Sequence, residues 1–418
     1  VNLTQSTVHV PTNVYDESAS VLNGVAFSEA LDDVFNSNRK SFSTISWQFY
    51  CSFVGFFRIY PGISWGNSDE ADQFDCRTRL WYIQAATSSK DVIILVDTSG
   101  SMTGLRIEIA KSTVIKILDT FNEDDYFNVI SFSDEPDYFE PCYNNSLVQA
   151  TVRNKQIFTK VLCSLFTSYV VKLYKIFNIY LKNNFNSLGS KCNKVIMLIT
   201  DGSPSDFREV FEKYNFPDKK VRVFTYLIGR EIRDTTQLKW MACNNKGQLM
   251  CYFSHISTLA DVYEHVQDYI RVLSRPLVIG RYPQKVWTNI YGNERTNELT
   301  TTVAMPVYDI KNASYNDGNL LGVIGTDMLL DVLTNVLPKH QLGVQNYPFA
   351  ITNNGFIIFH PDHRPYHNGK LKPNYNNLDI SEVEFIDDGK IRQSMVKGET
   401  GKTRLRVKVA LDEMVTHE

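Results

Sequence analysis

Hydrophobic residues follow two different rhythms along the chain, and the change of rhythm marks its organisation. From Asp91 to Val96 the run Asp-Val-Ile-Ile-Leu-Val is almost continuously apolar and β-branched, the pattern of a strand covered on both faces. A helix is predicted next over 105–121, with Ile109, Val114, Ile117, Leu118 and Phe121 along its apolar face. Further strands are expected at 127–132, 194–200, 221–229 and 249–253, with helices near 153–185, 206–215, 234–243 and 257–273. Strand alternating with helix over about 180 residues predicts an α/β domain with a doubly wound parallel sheet.

The flanks have another character. Residues 11–90 hold one helical pattern, Ser28 to Phe35, followed by aromatic segments broken by turns such as Tyr60-Pro-Gly62. Residues 274–418 hold strand-like runs at 299–307, 320–326, 349–351, 356–360 and 403–409, separated by turns rich in Asn, Gly and Pro. Each flank reads as part of an α+β unit. The expected organisation is therefore 1–90 and 274–418 as two parts of one domain, the second truncated, with the α/β domain of 91–273 inserted between them. So long an insertion is tolerated because loop-closure entropy grows slowly with length.

No window of about 18 uncharged apolar residues occurs. The nearest candidate, 161–185, is interrupted by Lys172, Lys175 and Lys182, and its apolar positions step by four, the stripe of a helix packed on a core.

Composition narrows the function classes. The 418 residues carry 43 Lys and Arg against 46 Asp and Glu, a net charge of −3, so the basic surplus needed for nucleic acid is absent. The sequence starts at a Val and ends in a charged stretch, which suggests a fragment. Seven cysteines lack the C-x-x-C pairs of a zinc site, and an odd count leaves at least one thiol free or paired elsewhere. Together with three N-x-[ST] sequons, at Asn2, Asn144 and Asn312, this points to an extracellular setting. The eight histidines, of which His360-Pro-Asp-His363 is the densest cluster, lie near no nucleophile motif, H-E-x-x-H or phosphate-cradling loop, so the chain is read as no enzyme.

Two constellations carry candidate chemistry. Asp97-x-Ser99-x-Ser101 ends the first buried strand, where ligands collect in open parallel sheets, and Thr200-Asp201-Gly202 ends another. A carboxylate and two hydroxyls on one tight loop, with a second carboxylate nearby, can converge on a hard cation and leave a position open for a partner's carboxylate. The plainer alternative is that these residues cap the helix that follows. The second constellation is Arg79-Leu-Trp81-Tyr82, in which an Arg can clamp a carboxylate between aromatic walls. Here the alternative is an ordinary Arg beside two core aromatics.

At these residues a resemblance becomes specific. Asp97-Thr-Ser-Gly-Ser-Met-Thr-Gly104, with Thr200-Asp-Gly202, resembles the metal-ion-dependent adhesion site of a von Willebrand factor A domain. The segments 81–91, 192–198, 220–225 and 240–247 are similar, in the same order, to the alpha-2/delta auxiliary subunits of voltage-gated calcium channels, and 224–231 and 372–376 to the third vertebrate type in particular. The resemblance runs through nearly the whole chain. It implies a von Willebrand factor A domain inserted into an α+β double-Cache domain, on the extracellular face of the plasma membrane and anchored through a portion outside this chain. It implies a Ca2+ or Mg2+ ion that joins the chain to the pore-forming channel subunit, promoting trafficking and gating.

The same resemblance assigns residues. Asp97, Ser99, Ser101 and Asp201 become metal ligands, and a further Thr falls on Thr167, without the Gly and Asp neighbours of the usual Gly-x-Thr-Asp stretch. Arg79, Trp81, Tyr82, Tyr291 and Asp327 match the amino-acid pocket of double-Cache domains. Phe74 and Asn293 stand where that pattern has Tyr and Asp, which removes a hydroxyl and a charge. Cys243 is implied to join a separately processed delta portion and so to have no partner within this chain. The alternative functions are a Cache-type sensor of a free amino acid and a generic matrix adhesion protein.

Overall fold

A computed structural model describes residues 1–65, 74–132, 136–143, 146–163, 189–190, 192–202, 208–217, 219–231, 235–243, 252–280, 284–292, 298–309, 319–337, 342–343, 346–373, 375–384, 389–404, 409–412 and 415–417. By compactness the chain divides into one unit of 1–34, 49–286 and 304–325 and another of 35–48, 287–303 and 326–418.

Strand β1 (Thr7–His9) leads to helix α1 (Ala19–Ser28), which Ser18 caps by accepting from the Val21 amide at 3.3 Å. Helix α2 (Leu31–Ser41) follows, with Asp32 and Asp33 in its first turn and Arg39 and Lys40 in its last, each sign opposing the helix dipole. The sequence pattern predicted one helix over 28–35, and the chain instead breaks there. The reason is local: the Ser28 hydroxyl donates to the Val25 carbonyl at 2.8 Å, and the buried Arg58 guanidinium donates to that carbonyl and to Ser28 Oγ, each at 2.9 Å. The last acceptors of α1 are thereby satisfied without continuing the helix.

Next come β2 (Trp47–Ser52), β3 (Phe57–Tyr60) and α3 (Leu80–Ala86). A Cys51–Cys76 disulfide, with Cα atoms 6.0 Å apart, ties β2 to the turn before α3.

The α/β segment runs β4 (Lys90–Asp97), α4 (Leu105–Asp119), β5 (Tyr126–Phe132), β6 (Pro136–Tyr138), β7 (Val148–Gln149), α5 (Val152–Cys163), β8 (Asn193–Thr200), α6 (Arg208–Tyr214), β9 (Val221–Ile228), α7 (Thr236–Cys243), β10 (Phe253–Ile256), α8 (Leu259–His265) and α9 (Tyr269–Gly280). Its strands lie in the order β10-β9-β8-β4-β5-β6, the first five parallel, with β6 and β7 antiparallel to β5. The doubly wound parallel sheet expected from the sequence is therefore present. Every residue of β4 is buried, and Ile93 and Leu95 join Ile196, Leu198, Val223, Phe211, Leu238 and Met241 in one cluster. Burial of such side chains is worth about 1.5–3 kcal/mol each.

Two boundaries differ from expectation. The last strand begins at Phe253, and the helix expected over 257–273 is two helices, the first opened by a capping box of Thr258 and Asp261. Beyond Cys163 the predicted 153–185 helix lies outside the described residues, as does Thr167.

After the α/β segment, β11 (Val286–Trp287), β12 (Tyr291–Gly292), β13 (Leu299–Asp309) and β14 (Asn319–Leu329) complete a second sheet, in the order β1-β3-β2-β14-β13-β11 with β12 beside β13. Strands from both sides of the α/β segment thus share one sheet. The strand expected over 403–409 is displaced: 403–404 are irregular, 405–408 lie outside the described residues, and Val409–Asp412 pairs with Val415–His417. Among the described residues no helix is long and apolar enough to cross a membrane.

Candidate metal centre at the strand ends

From β4 the chain winds first to β5 on one side and later to β8 on the other, so the carboxyl ends of β4 and β8 face a topological switch point. Asp97 is the last residue of β4. Parallel pairing of Val96 with Ile199 sets it beside Thr200, the last residue of β8, and Asp201 comes next. Asp97 and Asp201 are 4% and 5% exposed, Ser99 is buried and Ser101 exposed.

One chain of contacts joins all four predicted ligands. The Ser99 amide donates to Asp97 Oδ1 at 2.9 Å, the Ser99 and Ser101 hydroxyls are 3.0 Å apart, and Ser101 Oγ donates to Asp201 Oδ1 at 3.0 Å. Thr200 Oγ1 donates to Asp97 Oδ2 at 2.6 Å. Burial pushes the Asp97 carboxyl above its ordinary pKa, opposed by the donors Thr200 and Ser99 and assisted by the negative charge of Asp201.

The residues fit a hard divalent cation. All donors are carboxylate or hydroxyl oxygens, and adjacent ligands of an octahedral ion with bonds of about 2.1 Å stand about 3.0 Å apart, which is the spacing of the two serine hydroxyls. The capping alternative fits less well. Helix α4 begins after Gly104 with no side-chain cap, and Ser99, which opens the short turn Gly100–Met102, makes no side-chain cap bond either. Among the described residues no group of three His, Cys, Asp or Glu forms a metal cluster.

Two residues here were missed by sequence reasoning. Thr200 was in view in Thr200-Asp-Gly202 and, by donating to Asp97, fixes its orientation. Arg106, from the first turn of α4, donates through Nη1 to Asp201 Oδ2 at 3.1 Å and to the Ser101 carbonyl at 2.8 Å. Nothing in its local sequence marked it.

The second constellation divides between the two units. In the first, Trp81 and Tyr82 are buried, with Trp81 against Phe49 and Phe57, while Arg79 is exposed and lays its guanidinium over the Phe74 ring at 4.7 Å. In the second, Tyr291 Oη donates to Asp327 Oδ1 at 3.0 Å, and Thr302 Oγ1 donates to the same oxygen at 2.7 Å. Burial raises the Asp327 carboxyl to about 6, against the lowering effect of Thr302 and Tyr291. Asn293 lies outside the described residues.

Of the sequons, Asn2 is exposed and its Oδ1 accepts from the Thr4 amide and hydroxyl at 2.9 and 2.7 Å; Asn144 and Asn312 lie outside the described residues. The expectation for Cys243 is corrected. It is disulfide-bonded within this chain, so its thiol is consumed and cannot at the same time hold a delta portion. Cys142 and Cys192 are free and exposed.

The von Willebrand factor type A domain family matches residues 91–265, a VWA N-terminal family residues 1–65, and the CACHD1 middle domain residues 346–416. The rat voltage-dependent calcium channel subunit alpha-2/delta-3 is 48% identical over 99% of this chain and 39% of its own length, and human alpha-2/delta-4 is 48% identical over 99% and 38%. The nematode unc-36 calcium channel protein of Caenorhabditis elegans is 31% identical over 93% of this chain and 38% of its own length. The chain thus spans about two fifths of the length of the curated relatives it matches. Residues 91–265 are a von Willebrand factor type A domain, in a chain homologous over almost its whole length to the alpha-2/delta subunits of voltage-dependent calcium channels.

Proposed function

We propose that this chain is the part of an extracellular alpha-2/delta auxiliary subunit that grips the pore-forming subunit of a voltage-gated calcium channel. The grip runs through a Ca2+ or Mg2+ ion held by Asp97, Ser99, Ser101 and Asp201, with Thr167 as a further ligand, and it promotes trafficking and gating of the channel. The role is binding, not catalysis. The observation that carries this reading is the unbroken series of hydrogen bonds at two adjacent strand ends, from Asp97, which accepts from the Ser99 amide, through the Ser99 and Ser101 hydroxyls to Asp201. Bound there, the ion supplies a positive charge with positions left for an acidic side chain of the partner, which the exposure of Ser101 allows. Asn2, Asn144 and Asn312 carry glycans, and a portion outside this chain anchors it to the membrane.

A second reading, a Cache-type sensor of a free amino acid, is favoured by one observation. Asp327 is a buried carboxylate met by neutral hydroxyls alone among the described residues, the setting that an ammonium group would complete. Co-expression with a pore subunit separates the two. Asp97→Ala is expected to cut surface current severalfold while Arg79→Ala leaves it unchanged; loss with Arg79→Ala alone, at equal surface expression, favours the sensor.

A further inference from the structure

We propose that Arg106 is a built-in competitor at the candidate metal centre: a resident guanidinium that neutralises part of the site's charge and thereby lowers its affinity for the divalent ion. The inference rests on the metal-site reading above and assigns a residue that sets its strength.

The geometry is specific. Arg106 Nη1 donates to Asp201 Oδ2 at 3.1 Å and to the Ser101 carbonyl at 2.8 Å, so it occupies two oxygens at the edge of the ligand set. The other Asp201 oxygen, Oδ1, accepts from Ser101 Oγ. A third strand end makes room for the arginine. At Gly229, just after β9, φ is +118°, and a Cβ added there would stand 3.0 Å from Arg106 Nε. Glu231, two residues on, meets Nη2 at 3.4 Å, but it is 76% exposed and solvent screens that pair. The Arg106 side chain is 25% exposed while that of Asp201 is 6% exposed, so its contact with Asp201 is the better shielded one.

The consequence is electrostatic. Asp97 and Asp201 together offer two negative charges, and a guanidinium hydrogen-bonded to one of them reduces the net charge that an arriving cation meets to about −1. A guanidinium group keeps its charge across the physiological pH range, so the effect is a constant one. A like charge within several ångströms in a partly solvated setting changes affinity on the order of three- to tenfold, and the change shrinks as salt is added.

The test is calorimetric titration of Mg2+ and of Ca2+ into the secreted chain and its variants. Arg106→Gln, which keeps a donor but removes the charge, is expected to bind three- to tenfold more tightly than the unaltered protein, and the gain is expected to fall when ionic strength is raised. Arg106→Lys, which keeps the charge, is expected to stay within about twofold. Equal melting temperatures in chelator show that both variants fold, and Arg106→Met provides a second uncharged variant. Binding that depends on Asp97 but is unchanged or weaker in Arg106→Gln and Arg106→Met overturns the inference alone. Heats that survive Asp97→Ala overturn the metal-site reading and the inference with it.

Discussion

A buried carboxylate stands at each end of β4, Asp125 from just before β5 and Asp97 from β4 itself, and the fold treats the two in opposite ways. At the amino end, Asp125 Oδ2 receives the Lys90 ammonium at 2.6 Å and the Asn122 amide at 2.7 Å, and Oδ1 receives the Lys90 amide at 3.0 Å; neither side chain of the ion pair is more than 1% exposed. At the carboxyl end, Asp97 is met among the described residues by neutral donors of Ser99 and Thr200, with a second carboxylate close by. The first is closed: its charge is balanced by a side chain of the fold. The second is met by neutral donors and faces a mouth where Ser101 is exposed. A buried carboxylate whose counter-charge the fold supplies serves stability, whereas one whose counter-charge is withheld is poised for a ligand.

The comparison is broken most strongly at its closed end. Asp125→Ala strands the Lys90 ammonium in the core and is expected to lower stability by about 3–5 kcal/mol, measured by chemical denaturation, while leaving the cation response of the remaining folded protein intact. A loss under about 1 kcal/mol would mean that Lys90 finds another partner.

Asp327 sharpens it, being buried like Asp125 but met by neutral donors like Asp97. Its carboxyl titrates near 6 in the folded chain and near 3.8 when unfolded, so between those values the folded state binds more protons. This group's contribution to stability is therefore fully present below about pH 4 and falls as pH rises to about 6, by roughly 3 kcal/mol in all. Asp327→Asn is expected to flatten the denaturation profile over that window. An unchanged slope counts against a perturbed Asp327.

The open end responds to ligand instead. At a free cation concentration of about one hundred times Kd, binding stabilises the folded chain by about 2.7 kcal/mol, and Asp97→Ala is expected to remove that increment while leaving stability in chelator unchanged or slightly raised. A variant that still gains stability from Mg2+ or Ca2+ places the ion elsewhere. The smallest effect belongs to Ser101→Ala: within about 0.5 kcal/mol in chelator, since its bonds lie at the exposed mouth, with cation affinity weakened severalfold.

What could be read from the sequence followed from periodicity and local motif. The apolar run 91–96 and its successors gave the parallel sheet because both-face burial leaves a continuous signature, and Asp97-x-Ser99-x-Ser101 was visible because its ligands are neighbours in sequence. Arg106 was not visible, since its role depends on Asp201 and Glu231, which lie about a hundred residues or more away and meet it only once β8 and β9 are aligned beside β4. The break between α1 and α2 was missed for the same reason: Arg58, which satisfies the end of α1, comes from β3. The reading of Cys243 came from family likeness, and the intrachain disulfide corrects it.

The central claim is that the open end of β4 is a divalent-cation site, and crystals of the chain grown or soaked with Mn2+ test it most directly, because manganese scatters anomalously and prefers the same oxygen ligands. The account predicts one strong anomalous peak between Ser99 and Ser101, within about 2.0–2.6 Å of both hydroxyl oxygens and on the side of Asp97 and Asp201, absent from crystals of Asp97→Ala. No peak there at saturating Mn2+, or a peak that persists in Asp97→Ala, would contradict it.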